Sequence, residues 1–247
     1  MIALRRHVVD SETGRHQLTM NKLLVQQASV DYYGFFAKPA FNLMGEIREI
    51  ITGLSKTFAA HNVGLGNFRM EGDAVEPSTA ATVVRLGRFG TYKFKFDQVQ
   101  ASLNGFTDDD LEGMISVIEK GNAWVRESVT DFAFKTHAFL YQSHSTLSDG
   151  TSSSFLLNLP RRPIPVLGED LGSGVLETWH DSQMDAKVRL SLDHSLQETD
   201  GLYINYMVVF ERDSINYVET ARQSRKLLEA TLHEIGLEFG EEQSPTL

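Results

Sequence analysis

The residues best suited by type to do chemistry are two histidine–carboxylate pairs, His180-Asp181 and Asp193-His194. Two imidazoles and two carboxylates suit a divalent metal, and each pair stands at the edge of a segment with strand character, so the pairs are expected as neighbours. None of the spacings H-x-H, H-x3-H or H-E-x-x-H occurs in the chain. Strand ends are also where polar side chains belong. That plain reading outweighs the metal, and no metal or other cofactor is expected. His137 and His144 stand an odd number of residues apart on one apparent strand, so they point to opposite faces. The candidate ligand-binding set is His137, Tyr141, His180 and His194, at the junction of two halves of the chain.

Nucleophilic chemistry finds less support. There is no G-x-S-x-G elbow, and Ser152 to Ser154 read as loop or helix-cap residues. Asp108, Asp109 and Asp110 have a structural explanation, because they open a helix whose free N–H groups favour negative charge. Gly168 to Gly174 is glycine-rich but lacks the Lys-Ser/Thr of a phosphate loop, so it reads as a turn. No catalytic residue is assigned. Arg85, Arg88, Lys93 and Lys95 gather on one hairpin, with Arg161 and Arg162 on a proline-rich loop. They either solvate an open sheet face or form a basic docking spot for an acidic partner or phosphate.

The chain has 247 residues, a formal net charge of −10, 41% hydrophobic residues and no cysteine. That composition folds, and its acidity argues against general nucleic-acid binding. Absent cysteines remove disulfides and thiolate sites, which suits the cytoplasm. The N-terminus lacks the apolar run of a signal peptide, and no stretch is long enough for a membrane helix. Residues 1–20 are expected to be a peripheral leader, with Met20 an alternative start. Residues 238–247 are expected to be an acidic tail.

The elements that must position these groups follow from periodicity. Lys22 to Phe36 reads as a strand, and Asn42 to Ala60 as a helix burying Leu43, Ile47, Ile50, Ile51, Leu54 and Phe58. Gly53 within it permits close packing on a sheet. Val63 to Met70, Thr82 to Leu86 and Thr91 to Leu103 read as strands, the last burying Tyr92, Phe94 and Phe96 and exposing Lys93 and Lys95. A helix from Thr107 to Ser128 buries Leu111, Met114, Ile115, Ile118 and Val125. Then follow a strand from Asp131 to Ser143, a short helix from Ser148 to Leu157, and strands near 174–179, 186–193 and 202–212. A last helix runs from Ser214 to Ile235, with Gly236 beyond it.

The offset that carries Thr107 to Ser214 also carries Asn42 to Asp149. The expectation is therefore an α+β protein with a mostly antiparallel sheet, built from two pseudo-repeated β-α-β-β-β-α halves at 21–129 and 130–237. In element order only, this resembles the duplicated units of sliding clamps and of the TATA-binding saddle, and no function or residue follows from that. The leading expectation is a non-catalytic cytoplasmic binding or scaffold protein acting through a protein partner or a second copy. The alternative is an enzyme or small-molecule binder with its site where the halves meet. Nucleic acid as a partner is unlikely on charge grounds, and no membrane contact is expected.

Overall fold

Strict alternation decides which face of each strand meets the core. Leu202, Ile204, Tyr206, Val208 and Phe210 are buried, whereas the residues between them are half-buried. The computed structural model describes residues 20–43, 45–72, 79–105, 108–159 and 174–240. In chain order the elements are β1 (Asn21–Phe36), α1 (Ile47–Thr57), β2 (Phe68–Glu71), β3 (Ala81–Arg85), β4 (Thr91–Lys95), β5 (Gln98–Asn104) and α2 (Asp108–Ser128). There follow β6 (Phe134–Leu147), α3 (Ser152–Asn158), β7 (Val175–Asp181), β8 (Ala186–His194), β9 (Leu202–Phe210), α4 (Tyr217–Glu234) and β10 (Leu237–Phe239).

The ten strands make one sheet in the order β2-β3-β4-β5-β1-β6-β9-β8-β7, with β10 joined to β1. All its ladders are antiparallel except the short parallel pairing of β10 with β1. The protein is therefore α+β with a mostly antiparallel sheet. Among the described residues, no helix is long and apolar enough to cross a membrane.

The helices all pack on one face. Phe58, just past α1, meets Tyr92 of β4, and Trp124 of α2 meets Phe94 edge-on. Tyr141 of β6 donates to the Ala221 carbonyl of α4 at 3.0 Å, and Ser152 of α3 contacts His194 of β8. Gly53 lets the Trp124 indole approach closely, since a Cβ there would lie 2.2 Å from Nε1. The close packing expected of Gly53 is real, but its partner is a helix and not the sheet. All five expected apolar residues of α2 are buried. Its expected cap, Thr107, lies outside the described residues.

Several boundaries differ from expectation. The segment from Thr91 to Leu103 is two strands, because the chain turns at Phe96-Asp97. Tyr92 and Phe94 are buried, while Phe96 at the turn is half-buried. Four strands thus separate α1 from α2 in place of the three expected. Asn42 does not cap α1; its amide donates to the Ser128 carbonyl at 2.8 Å. The short helix starts late, at Ser152, where the Thr151 hydroxyl accepts from the Ser154 N–H. The last helix starts at Tyr217, capped by the Asn216 side chain. Gly236 turns the chain with φ +84°, and Leu237 to Phe239 then form β10 beside Asn21 to Leu23. Glu238 and Phe239, expected in the tail, thus lie in β10. Residues 1–19, 241–247 and the proline loop with Arg161 and Arg162 lie outside the described residues.

Candidate binding face and buried polar network

The four residues of the candidate ligand set do not converge. His137 and Tyr141 both point from β6 towards the helices and are fully buried. His180 is exposed on the edge strand β7, with Asp185 Oδ1 at 3.5 Å. His194 stands at the far end of the β7–β8 hairpin, with Nδ1 at 2.9 Å from Ser152 Oγ. The hairpin register pairs His180 with Lys187 and Val175 with Leu192, so His180-Asp181 and Asp193-His194 occupy opposite ends. The expected neighbourhood of the two pairs is thereby overturned. Among the described residues, no three His, Cys, Asp or Glu side chains gather to hold a metal.

His137 belongs to a buried network that joins both halves of the chain. Its Nδ1 lies 2.7 Å from the Tyr32 hydroxyl of β1, and its Nε2 lies 3.1 Å from the Asp213 carbonyl. A carbonyl only accepts, so Nε2 carries the proton and Tyr32 donates to Nδ1. The Asn122 amide of α2 donates to Tyr32 and Tyr217, both at 2.9 Å, and its carbonyl accepts from Tyr92 at 3.2 Å. Asn122, in mid-helix, is 2% exposed, and sequence periodicity gave no reason to single it out. Burial holds the His137 pKa down at about 4, against the partial support of the Asp213 carbonyl. Burial also pushes Tyr32 and Tyr92 well above the usual phenol range. Neutral, mutually satisfied groups of this kind fix a core, and both His137 ring nitrogens are occupied.

No helix among the described residues covers the opposite face of the sheet. Asp31 and Tyr33 of β1, Leu140 and Gln142 of β6, and Asn205 and Met207 of β9 lie half-buried on it. Arg69, Arg85, Lys93, Lys95, Lys187 and Arg189 share this face with Glu71, Asp31, Asp193 and Glu211. Lys93 contacts Glu71 at 2.7 Å and holds its carboxyl below the usual range, and Lys187 contacts Glu211 at 2.6 Å. The face is thus richer in cations than in anions, although the protein as a whole is acidic. Of the candidate basic set, Lys93 and Lys95 lie on the face itself, and exposed Arg85 closes β3 beside them. Exposed Arg88 sits in the β3–β4 turn.

One part of this face is concave. A cleft of about 680 Å³ opens where β5 ends at Asn104 while β1 continues past it to Gln27. Gln142, His144, Tyr203 and Asp193 line its floor and far side, and Leu196 and Gln197 form a rim. Asp193 and His144 were noted in the sequence for other reasons, whereas Gln142, Tyr203, Leu196 and Gln197 carry no signal there. Comparison with models of known protein families and with curated proteins finds no match to this chain.

Proposed function

We propose that this is a non-catalytic binding or scaffold protein that docks a protein partner on the open face of its sheet. One observation carries the reading. On the one sheet face that the described helices leave uncovered, cations outnumber anions, although the protein carries a net charge of −10. Such a face attracts an acidic surface, and steering of this kind raises association rates and sets orientation. The buried Tyr32–Asn122–His137 network serves the core on this reading.

The test is site-specific photo-crosslinking in the native cell, with the crosslinker at Met207 on the open face or at Glu229 on α4. A discrete adduct is expected only from position 207, and it should be lost in Lys93→Glu/Lys95→Glu/Arg189→Glu. Equal adducts from both faces, or insensitivity to the charge reversals, would reject the reading. The cytoplasm remains the proposed location.

We also read the two halves as pseudo-repeats. Outward from the β1–β6 pair, the strands run β5, β4, β3 on one side and β9, β8, β7 on the other, which supports this reading. Superposing β1, β5, β4 and α2 on β6, β9, β8 and α4 through a rotation near a half-turn is the geometric test. β2 is the surplus strand of the first half.

A further inference from the structure

We infer that the cleft between Asn104 and Tyr203 is a binding site for a neutral, polyhydroxylated ligand of the saccharide class. This goes beyond the docking role of the wider face. The volume of about 680 Å³ falls within the range of small-molecule sites. The chemistry of its lining does the selecting.

Two of the lining groups are held in fixed hydrogen-bonding states by the protein. The Tyr203 oxygen accepts from the Gln142 amide and from the Asn205 amide, the latter at 3.1 Å. Both lone pairs are then used, so its O–H is left to donate. The Ser195 hydroxyl accepts the N–H groups of Gln197 at 3.1 Å and Glu198 at 2.9 Å, so its own proton goes to His144 Nδ1 at 2.8 Å. That leaves His144 as the tautomer with Nε2–H free to donate. The His144 and Tyr203 rings stack at 4.7 Å, which holds both in place.

Around these donors stand the carboxamides of Gln27, Asn104 and Gln197, whose side chains have no hydrogen-bond partner among the described residues. Each offers a donor and an acceptor together, the pairing that a hydroxyl group needs. Asp193 adds a carboxylate, with Oδ1 accepting the His194 N–H at 2.7 Å. Among the described residues no Lys or Arg lines the cleft, so a phosphate or carboxylate ligand would meet Asp193 without a counter-charge from them. A wholly apolar ligand would strand the amides. Leu196 at the rim, 98% exposed, offers an apolar patch of the kind that packs against the C–H face of a sugar ring.

The test uses the full chain, labelled with 15N, titrated with neutral di- and trisaccharides of glucose, galactose, mannose and N-acetylglucosamine. Glucose 6-phosphate, adenosine, uridine and inorganic phosphate serve as the contrasting probes. The expected result is saturable shifts confined to residues near 27–29, 104, 142–144 and 193–203 with at least one saccharide. Tyr203→Phe should weaken that affinity about tenfold through loss of one donor. Gln27→Ala, at an exposed position that does not endanger folding, should weaken it several-fold. The proposal is overturned if no saccharide shifts these residues at about 50 mM. It is equally overturned if phosphate or a nucleoside binds there in place of a saccharide, or if both variants bind as wild type does.

Discussion

The Tyr32 hydroxyl and His137 Nδ1 meet at 2.7 Å across the central β1–β6 pair because position 34, between them, is glycine. A Cβ at Gly34 would lie 2.7 Å from the Tyr32 hydroxyl and 2.7 Å from the Phe134 ring. The smallest residue in the strand thus makes room for the hydrogen bond that ties β1 to β6 beneath Asn122 of α2.

Burial of His137 predicts an acid sensitivity. The folded pKa of His137 is about 4, below its ordinary 6.5, so the unfolded chain binds the extra proton first as pH falls. Stability from this group is complete above pH 6.5 and is lost progressively down to about pH 4, by ~3 kcal/mol in all. Urea midpoints measured across that window should fall in the wild type. His137→Phe should flatten the slope between pH 6.5 and 5, and an unchanged slope would assign the effect elsewhere.

Asn122 is the hub of the same network, serving Tyr32, Tyr92 and Tyr217. Asn122→Ala leaves buried hydroxyls short of partners and should cost ~3 kcal/mol or more. A loss below ~1 kcal/mol in chemical denaturation would mean that water or a rearrangement replaces the amide.

Gly121, next to it on α2, carries the close approach of Tyr92, whose ring would lie 2.3 Å from an added Cβ. Helix propensity alone favours alanine by about 1 kcal/mol. Overpacking reverses the sign, and Gly121→Ala should destabilise by ~1–3 kcal/mol. Gly66→Ala, where nothing lies within 4 Å, is the control and should be near neutral.

Phe94 is 1% exposed and is packed by Phe36, Phe96 and Trp124. Phe94→Ala should cost ~3–5 kcal/mol, partly through the cavity left behind. Thermal and denaturant unfolding of the pair would check it, and a change below ~1 kcal/mol would place the residue outside the core.

The fold was legible where burial imposes a period and illegible where a remote partner decides. The alternation of β9 and the apolar stripe of α2 both appear in the sequence, and both are buried as their spacing requires. The turn at Phe96-Asp97 was also written there. Buried residues run through even positions at Tyr92 and Phe94, then through odd ones at Val99, Ala101 and Leu103, and one strand cannot present both parities to one face. By contrast, β10 is three residues long and exists because Asn21 to Leu23 lie beside it. The histidine pairs failed for a topological reason: in a hairpin the end of one strand meets the start of the next, whereas the reading joined end with end. The cleft escaped because its lining comes from five strands and a loop far apart in sequence, and only the fold brings them together.

The parallel pairing of Asn21 to Leu23 with Leu237 to Phe239 also constrains how the protein is made. On the ribosome β1 emerges first, yet its neighbours β5, β6 and β10 arrive much later, the last only after α4. Until β5 and β6 have been made, a long strand with an alternating apolar face has both edges bare, the condition that favours misassociation of nascent chains. A sheet whose first strand becomes its centre cannot be laid down progressively from one edge. β1 must stay open while the segments up to β5 and β6 are made, and its edge at Asn21 to Leu23 closes only after α4.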